Sequence, residues 1–571
     1  MSLMSGLYVG TTGLMTSQNA LNTTAHNLSN IETAGYTRQQ VLLEDKIYNT
    51  VGNGSVSAKQ VGLGVEYAKV RQVRDYFLDQ SYRKESGRSA FYESSYETVS
   101  EIETLLGEFD GVAFEDSMGD IWTAIQELQK DPTSPVVQGE LVNTCTQFLE
   151  RAQAVYKGLE NYQDNLNSRV KDCVDRINDL GNSIHDLNIR INREEVKIQR
   201  GEDIQSSMAE ANDLRDQRNK AIDELSKLAN ITYFTNADGA TEVSIEGVSF
   251  VARDRVFEMG SEMDPTTGFY TPIWPQNGDD KVFDYTQEIA SKLDSDVGEL
   301  KSMLLARGDR RANFTDIQDP SYYNDNEDFY NTGLDTSTDP PTQYIPTSSS
   351  IVMNTMAELD NLVHEMMVSI NDILCGEDEL DAAARAGYSE DDISKQFEMF
   401  ERLGTDSRYE KQSDGTYSYI AEKQGLQHVD VSTLYTISNV KINTELTKEP
   451  TKLSFETEDK NADQTKADKL AAAFTNPFGA LNPNLTMEYN YRDYYSAVVG
   501  QLATSGSVYN SIVQAQDIAV SQIDASRQSV MAVSSNEELS NMIKFQNAFN
   551  AASRYINACN DMLENLIQNL A

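Results

Sequence analysis

His364-Glu365 opens like the helical motif of zinc proteases, where two histidines one turn apart hold the metal and the glutamate activates water. The position that must carry the second histidine is Val368. The histidines stand at 26, 185, 364 and 428, too dispersed to declare a ligand set. No glycine loop ends in Gly-Lys-Ser/Thr to cradle a phosphate, and no Gly-x-Ser-x-Gly elbow presents a nucleophile. The run Asn324-Asp325-Asn326-Glu327-Asp328 has oxygen donors for calcium but lacks the glycine and closing glutamate of an EF-hand loop. It reads as solvated loop. The residues therefore predict no catalytic, cofactor-binding or metal site, and the chain is not read as an enzyme.

The cysteines at 145, 173, 375 and 559 make no close pair. Cys145 and Cys173 fall on one predicted helix, roughly 42 Å apart at about 1.5 Å per residue, far beyond disulfide reach. They are expected to serve as small buried apolar groups.

With no chemistry to position, the elements themselves become the subject. The chain has 571 residues, enough for three or four domains with their own cores. A formal net charge of −43 weighs strongly against nucleic acid and disfavours anionic membrane surfaces as partners, because like charges repel. No apolar run is long enough to span a membrane. The opening segment is uncharged up to Glu32 and Arg38, so it lacks the basic start of a general secretory signal.

All 12 prolines lie between Pro132 and Pro483, which predicts helical ends around a looped, partly β middle. Leucines recur every seven residues at 7, 14, 21 and 28. Near the C-terminus Met542, Phe545, Phe549, Ala552, Ile556, Cys559, Leu563, Leu566 and Leu570 alternate in steps of three and four, a coiled-coil stripe. The same spacing runs from Phe148 through Leu159, Tyr162, Leu166, Val170 and Ile177 to Ile191, and predicts one helix over 136–199. That rod is roughly 90 Å long, too long for a compact globule. Gly201 should break it before a second helix to Asn230. Residues 242–251 alternate as a strand after an Asp238-Gly239 turn, 313–350 read as exposed loop, and 351–374 as helix. Residues 404–450 look β-rich, and helix resumes near 488.

Gly6, Gly10 and Gly13 weaken the first helix by up to about 1 kcal/mol each against alanine, so its leucine stripe must pack on something. Two readings remain open from periodicity: the ends pair within one chain, or the paired ends also pack on neighbouring subunits and order on assembly.

The block Thr12-Gly13-Leu14, Ser17-Gln18, Asn27 to Asn30, Thr33, Gly35-Tyr36 and Arg38-Gln39 resembles the N-terminal signature of flagellar rod, hook and hook-associated proteins. Its Gly-Tyr-x-Arg-Gln ending is similar to the hook-associated branch rather than to hook protein; Ala34 stands where the family commonly has proline. The resemblance continues in order through Asp131-Pro132-Thr133-Ser134, Ile177-Asn178, Asn212-Asp213-Leu214, Asp216-Gln217-Arg218 and Tyr491 to Ser496. It ends in the block Glu537 to Leu570, preceded by a shortened turn at Val533-Ser534-Ser535-Asn536, and spans around half the chain.

The resemblance implies a structural subunit of the hook–filament junction, extracellular and exported by the flagellar type III route without a cleaved signal peptide. Its implied partners are further copies of itself in a ring, hook protein, the second hook-associated junction protein, and a cytosolic export chaperone on the C-terminal helix. Another flagellar axial protein or a coiled-coil extracellular adhesin are the alternatives. The expected fold is mixed α and β and elongated, with coiled-coil terminal helices, a long helical bundle and β-rich inserted outer domains. The expected division is 1–60 (axial helix and motif segment), 61–230 (long bundle), 231–350 (β-rich outer domain), 351–403 (returning helices), 404–484 (second β-containing segment) and 485–571 (C-terminal bundle and axial helix). The assembly interface is expected at Leu7, Leu14, Leu21, Leu28, Phe545, Phe549, Ile556, Leu563, Leu566 and Leu570. Asn30, Thr33, Gly35, Tyr36, Arg38 and Gln39 form the motif, with Gly35 supplying a backbone conformation other residues resist.

Overall fold

The computed structural model describes residues 3–33, 35–45, 49–54, 57–61, 63–107, 114–200, 204–285, 287–317, 329–335, 342–375, 386–390, 397–403, 408–420, 422, 431–453, 455–456 and 461–570. Ala34, Gly201, His428 and the acidic run 324–328 lie outside the described residues, as does the side chain of Leu570.

Long helices and small antiparallel sheets make up the fold, the mixture expected from the sequence. The helices are α1 (Leu3–Ser29), α2 (Tyr76–Leu106), α3 (Phe114–Lys130), α4 (Pro135–Gln199), α5 (Ile204–Leu228), α6 (Glu299–Arg307), α7 (Phe329–Thr332), α8 (Ile351–Cys375), α9 (Thr444–Lys448), α10 (Gln464–Thr475), α11 (Tyr491–Met531) and α12 (Ser535–Leu570). Contacts divide the chain into two compact units. The terminal unit gathers 1–89, 176–259 and 515–571; the central unit gathers 90–175 and 260–514.

The 65-residue α4 forms as its spacing predicts. Pro135 sits at its first turn, where a missing N–H costs nothing, and the Gln138 side chain caps the entry through the Pro132 carbonyl at 2.7 Å. Its stripe from Cys145 through Phe148, Leu159, Val170 and Ile177 to Ile191 is buried, each large apolar group worth about 1.5–3 kcal/mol. Tyr162 departs from the stripe and is half-buried; the neighbouring Gln163 is the sealed residue, donating to the carbonyls of Arg307 and Arg310. The four cysteines are free and buried.

In the terminal unit, α1 leads into β1 (Gln39–Asp45), which pairs antiparallel with β4 (Val65–Gln72) across a bulge at Leu42/Leu43. Strands β2 (Asn49–Gly54) and β3 (Ser57–Val61) form the hairpin between them. After α5, β5 (Ile231–Thr235), β6 (Thr241–Ile245) and β7 (Val248–Val251) make a three-stranded meander. Its first turn is the expected Asp238-Gly239, closed by Asn236 N–H on the Ala240 carbonyl and Gly239 N–H on the Asn236 carbonyl. Leu187, Ile191 and Leu214 form a core between α4 and α5.

In the central unit, Phe114 packs against Phe148 and Tyr495 at ring separations of 5.2 and 4.9 Å. Strands β8 (Gly260–Met263), β9 (Tyr270–Trp274) and β10 (Asp280–Lys281) form one sheet. The remaining strands are short: β11 (Leu334–Asp335) with β12 (Thr342–Gln343), β13 (Ala386–Tyr388) with β16 (Tyr417–Tyr419) and β15 (Tyr409–Lys411), and β14 (Phe400–Arg402) with β17 (Val440–Ile442). The described part of 313–350 corrects the exposed-loop expectation. Phe314, Phe329, Tyr330, Ile345 and Thr347 are buried, because that polar-looking segment folds back over α8. Within α8, Asp360 is sealed and accepts the Phe314 and Ile437 backbone N–H groups at 3.0 and 2.7 Å, pinning two loops to the helix.

Candidate functional site

The chain ends meet in the terminal unit as an antiparallel pair of α1 and α12. The order is read from the glycines: Gly6 lies against Tyr555 and Cys559, Gly10 against Ile556, and Gly13 against Ala552. A Cβ on Gly10 would stand 2.7 Å from the Ile556 side chain, so absence of a side chain is what lets the two backbones approach. Gly6, Gly10, Ser17, Ala20, Thr24 and Asn27 form the inner face of α1, and its threonine and serine hydroxyls turn back onto their own helix carbonyls.

Leu7, Leu14, Leu21 and Leu28 are half-buried beside the inner face of α1, and Phe545, Phe549, Ile556 and Leu563 are half-buried on α12, with Ile556 set against Gly10 in the seam. Leu566 is 48 % exposed. Outside the seam several large apolar side chains stay exposed among polar ones. Met4 and Met15 are 68 % and 66 % exposed and share one side of α1 with Tyr8; Ile543 and Ile567 on α12 are 60 % and 66 % exposed.

At the far end of the seam the motif residues form a polar lock. The Asn27 amide donates to the Gln39 carbonyl at 2.9 Å and to Glu538 at 3.2 Å, while its oxygen accepts from Tyr36 and the Gln39 backbone at 2.8 and 3.0 Å. Arg38 places Nε on Glu538 at 2.9 Å, reaches Glu537, and donates its backbone N–H to the Met531 carbonyl. Burial works against the Arg38 charge, but the Glu537 and Glu538 bonds prevail and raise its pKa. Thr33 donates to Asn30, whose own amide caps the end of α1 on the His26 carbonyl. Gly35 has φ of +84°, the left-handed region expected of it.

The lock extends into residues that spacing did not single out. Thr37 N–H and the Gln72 amide both donate to Asp216, at 3.0 and 2.8 Å. Burial pushes the Asp216 carboxyl up to about 6 despite those bonds. Gln39 and His26 both reach Asp213, at 3.2 and 3.3 Å. One layer further, Asp79 takes Arg74 at 2.9 Å and Arg527 at 2.7 Å, while Asp223 takes Arg83 and Arg527. Burial would raise the Asp79 carboxyl, yet Arg74, Arg527 and Arg83 hold it below the usual range. The only sequence signal for Asp213 and Asp216 was their presence in the ordered block 212–218; Asp79 and Asp223 had none, since in so acidic a chain individual carboxylates carry none.

Among the described residues no group of three or more His, Cys, Asp or Glu is placed to hold a metal ion, and no helix is long and apolar enough to cross a membrane. His364 is sealed in α8, with Nδ1 3.1 Å from the Tyr435 carbonyl and its ring stacked on Phe314. The site is thus a surface and a seam, built for packing.

Three family models match in chain order. A flagellar basal body rod protein model covers 7–37, the helical domain of flagellar hook-associated protein FlgK covers 99–375, and the C-terminal region of basal body rod FlgEFG proteins covers 527–569. Flagellar hook-associated protein 1 of Bacillus subtilis is 24 % identical over 580 residues, spanning 100 % of this chain and 99 % of that one. The protein of the same description from Salmonella typhimurium is 26 % identical over 229 residues, 40 % of this chain and 39 % of that one. The solved hook junction protein FlgK from Burkholderia pseudomallei aligns with a TM-score of 0.49 at 11 % identity, over 79 % of this chain and 100 % of that one. The chain belongs to the FlgK family of flagellar hook-associated proteins. It is a structural protein of the flagellar hook–filament junction, part of the flagellum, and assembles with hook and flagellar components.

Proposed function

We propose that the protein works as one subunit of a ring of identical copies, seated on hook protein and offering its opposite side to the second hook-associated junction protein. The observation that carries this reading is the α1–α12 pair, which satisfies its inner face within the chain and leaves large apolar side chains outside. An apolar surface of that kind favours burial against neighbours. Leu7, Leu14, Leu21, Leu28, Phe545, Phe549, Ile556, Leu563, Leu566 and Leu570 would complete their burial there. Residues 1–60 and 485–571 would supply the axial layer, with 61–230 and 351–403 as shaft and 231–350 and 404–484 as outer parts. Before assembly the exposed α12 surface calls for a cover, which a cytosolic chaperone would give during export by the type III route without a cleaved signal peptide. Deleting 541–571 tests the reading. The truncated protein should be soluble and monomeric, and cells carrying it should show bare hooks by electron microscopy with flagellin lost to the medium. Filaments that still grow would overturn it.

A further inference from the structure

Two arginines three residues apart in the central unit meet opposite fates. Arg307 and Arg310 are each 1 % exposed. Arg310 is neutralised by Asp309 at 2.7 Å and Asp316 at 2.9 Å, and its Nη2 donates to Thr347. Arg307, the last residue of α6, spends Nε on the Gly308 carbonyl at 2.9 Å and Nη1 on the Asn167 side chain and the Tyr270 carbonyl. Its guanidinium lies 4.7 Å from the Phe269 ring centre. Among the described residues no carboxylate lies within ion-pair distance of Arg307; Asp309, which lines the same cavity and acts on it from a distance, is bonded to Arg310 and the Ile345 N–H, and Nη2 has no acceptor. Burial pushes its pKa down to about 10, so the charge persists at neutral pH. A buried charge without a counter-ion is costly, and a carboxylate is the group whose geometry best answers a guanidinium.

Arg307 lines a cavity of about 430 Å³ between the β8–β9–β10 sheet and the segment around β12, a volume suited to one small molecule. Thr271 faces the cavity from β9, and exposed Glu262, Asp264 and Asp279 stand at its rim. Those rim carboxylates repel a multiply charged anion such as phosphate but accept hydrogen bonds from hydroxyl groups. We infer that this cavity binds a hydroxylated monocarboxylate of sugar-acid size, its carboxylate on Nη2 of Arg307 and its hydroxyls toward Thr271 and the rim acids. The site lies within the central unit and is independent of the assembly role.

Calorimetric titration of the full chain with sodium glucuronate, sodium acetate and glucose tests it. Saturable one-to-one binding of glucuronate is expected, with acetate and glucose each roughly tenfold weaker or more, since each lacks half of the complementary groups. Arg307→Gln should weaken glucuronate binding by roughly tenfold or more. Thr271→Trp fills the cavity while keeping the arginine itself, and should abolish binding even if the arginine variant fails to fold. No saturable heat with millimolar glucuronate, equal affinity for the three probes, or binding unaffected by Thr271→Trp would each overturn the inference.

Discussion

Arg38 and Glu538 stand 500 residues apart in the chain and 2.9 Å apart in space, with the Glu538 side chain only 3 % exposed. Their bond makes the motif after the first helix and the start of the last helix a single piece of structure. Asn27 shares the same carboxylate, so two donors from the N-terminal segment depend on one C-terminal acid.

Removing that acid takes one acceptor from each donor. Glu538→Ala is expected to cost about 1–3 kcal/mol of terminal-unit stability, because the half-buried Arg38 guanidinium is left with Glu537 and the Asn27 amide with the Gln39 carbonyl. Limited proteolysis of the purified protein should cut faster within 3–33 and 535–570, with cleavage in the central unit unchanged. An unaltered cleavage pattern would show that the lock is dispensable.

The seam distinguishes its glycines. Gly10→Leu must push Ile556 and Tyr555 aside and should destabilise the α1–α12 pair by about 1–3 kcal/mol. At Gly13 the nearest atom to an added Cβ is Ala552 Cβ at 3.8 Å, so Gly13→Ala should be neutral or gain up to about 1 kcal/mol from helix propensity. Thermal melts followed by amide exchange in 3–29 check the contrast; equal effects at the two positions would contradict the seam geometry.

Within α8, Glu358 is 1 % exposed, and burial pushes its carboxyl up to about 7 from 4.5, although Asn354, Gln501 and Asn482 donate to it. A folded pKa above the unfolded one means its contribution is full below pH 4.5 and is lost as pH rises through 7. The difference amounts to about 3 kcal/mol. Glu358→Gln should therefore raise the melting temperature at pH 8 and change little at pH 4.5, which calorimetry at the two values would reveal. A variant that is less stable at pH 8 would sink the assignment.

Met15 on α1 and Ile543 on α12 are 66 % and 60 % exposed, so neither contributes much to packing within the described residues. Met15→Asp combined with Ile543→Asp should leave the melting temperature within about 0.5 kcal/mol equivalent of the parent. In motility assays and electron micrographs the same protein should fail to enter flagella. Normal filaments from the double variant would place the subunit contacts elsewhere.

How far the sequence could be read depends on what wrote each feature. The α4 and α12 stripes were legible because burying one side of a long helix forces a three-and-four spacing that few other structures produce. The meeting of the two ends was legible for the same reason. That glycines rather than leucines occupy the seam was not, since glycine leaves no hydropathy signal. The β1–β4 ribbon was hidden by a bulge and an irregular burial pattern that erase alternation. Asp79 was lost among 90 acidic residues, and Asp213 and Asp216 entered only as members of a resembling block, because only position tells a buried carboxylate from a solvated one. The 313–350 segment misled through composition, its tyrosines and phenylalanines being outnumbered by turn formers.

The terminal unit is assembled from the first, a middle and the last stretch of chain. A polypeptide that emerges end first, from a ribosome or from a narrow channel, therefore cannot finish this unit until its final segment has been delivered. The opening helix waits, open and weakly formed, while the central unit, whose residues lie wholly between, has everything needed to fold. Completion of the unit is thereby tied to arrival: a chain stalled short of α12 leaves it unfinished, and closure of the seam marks the moment the terminal unit is assembled.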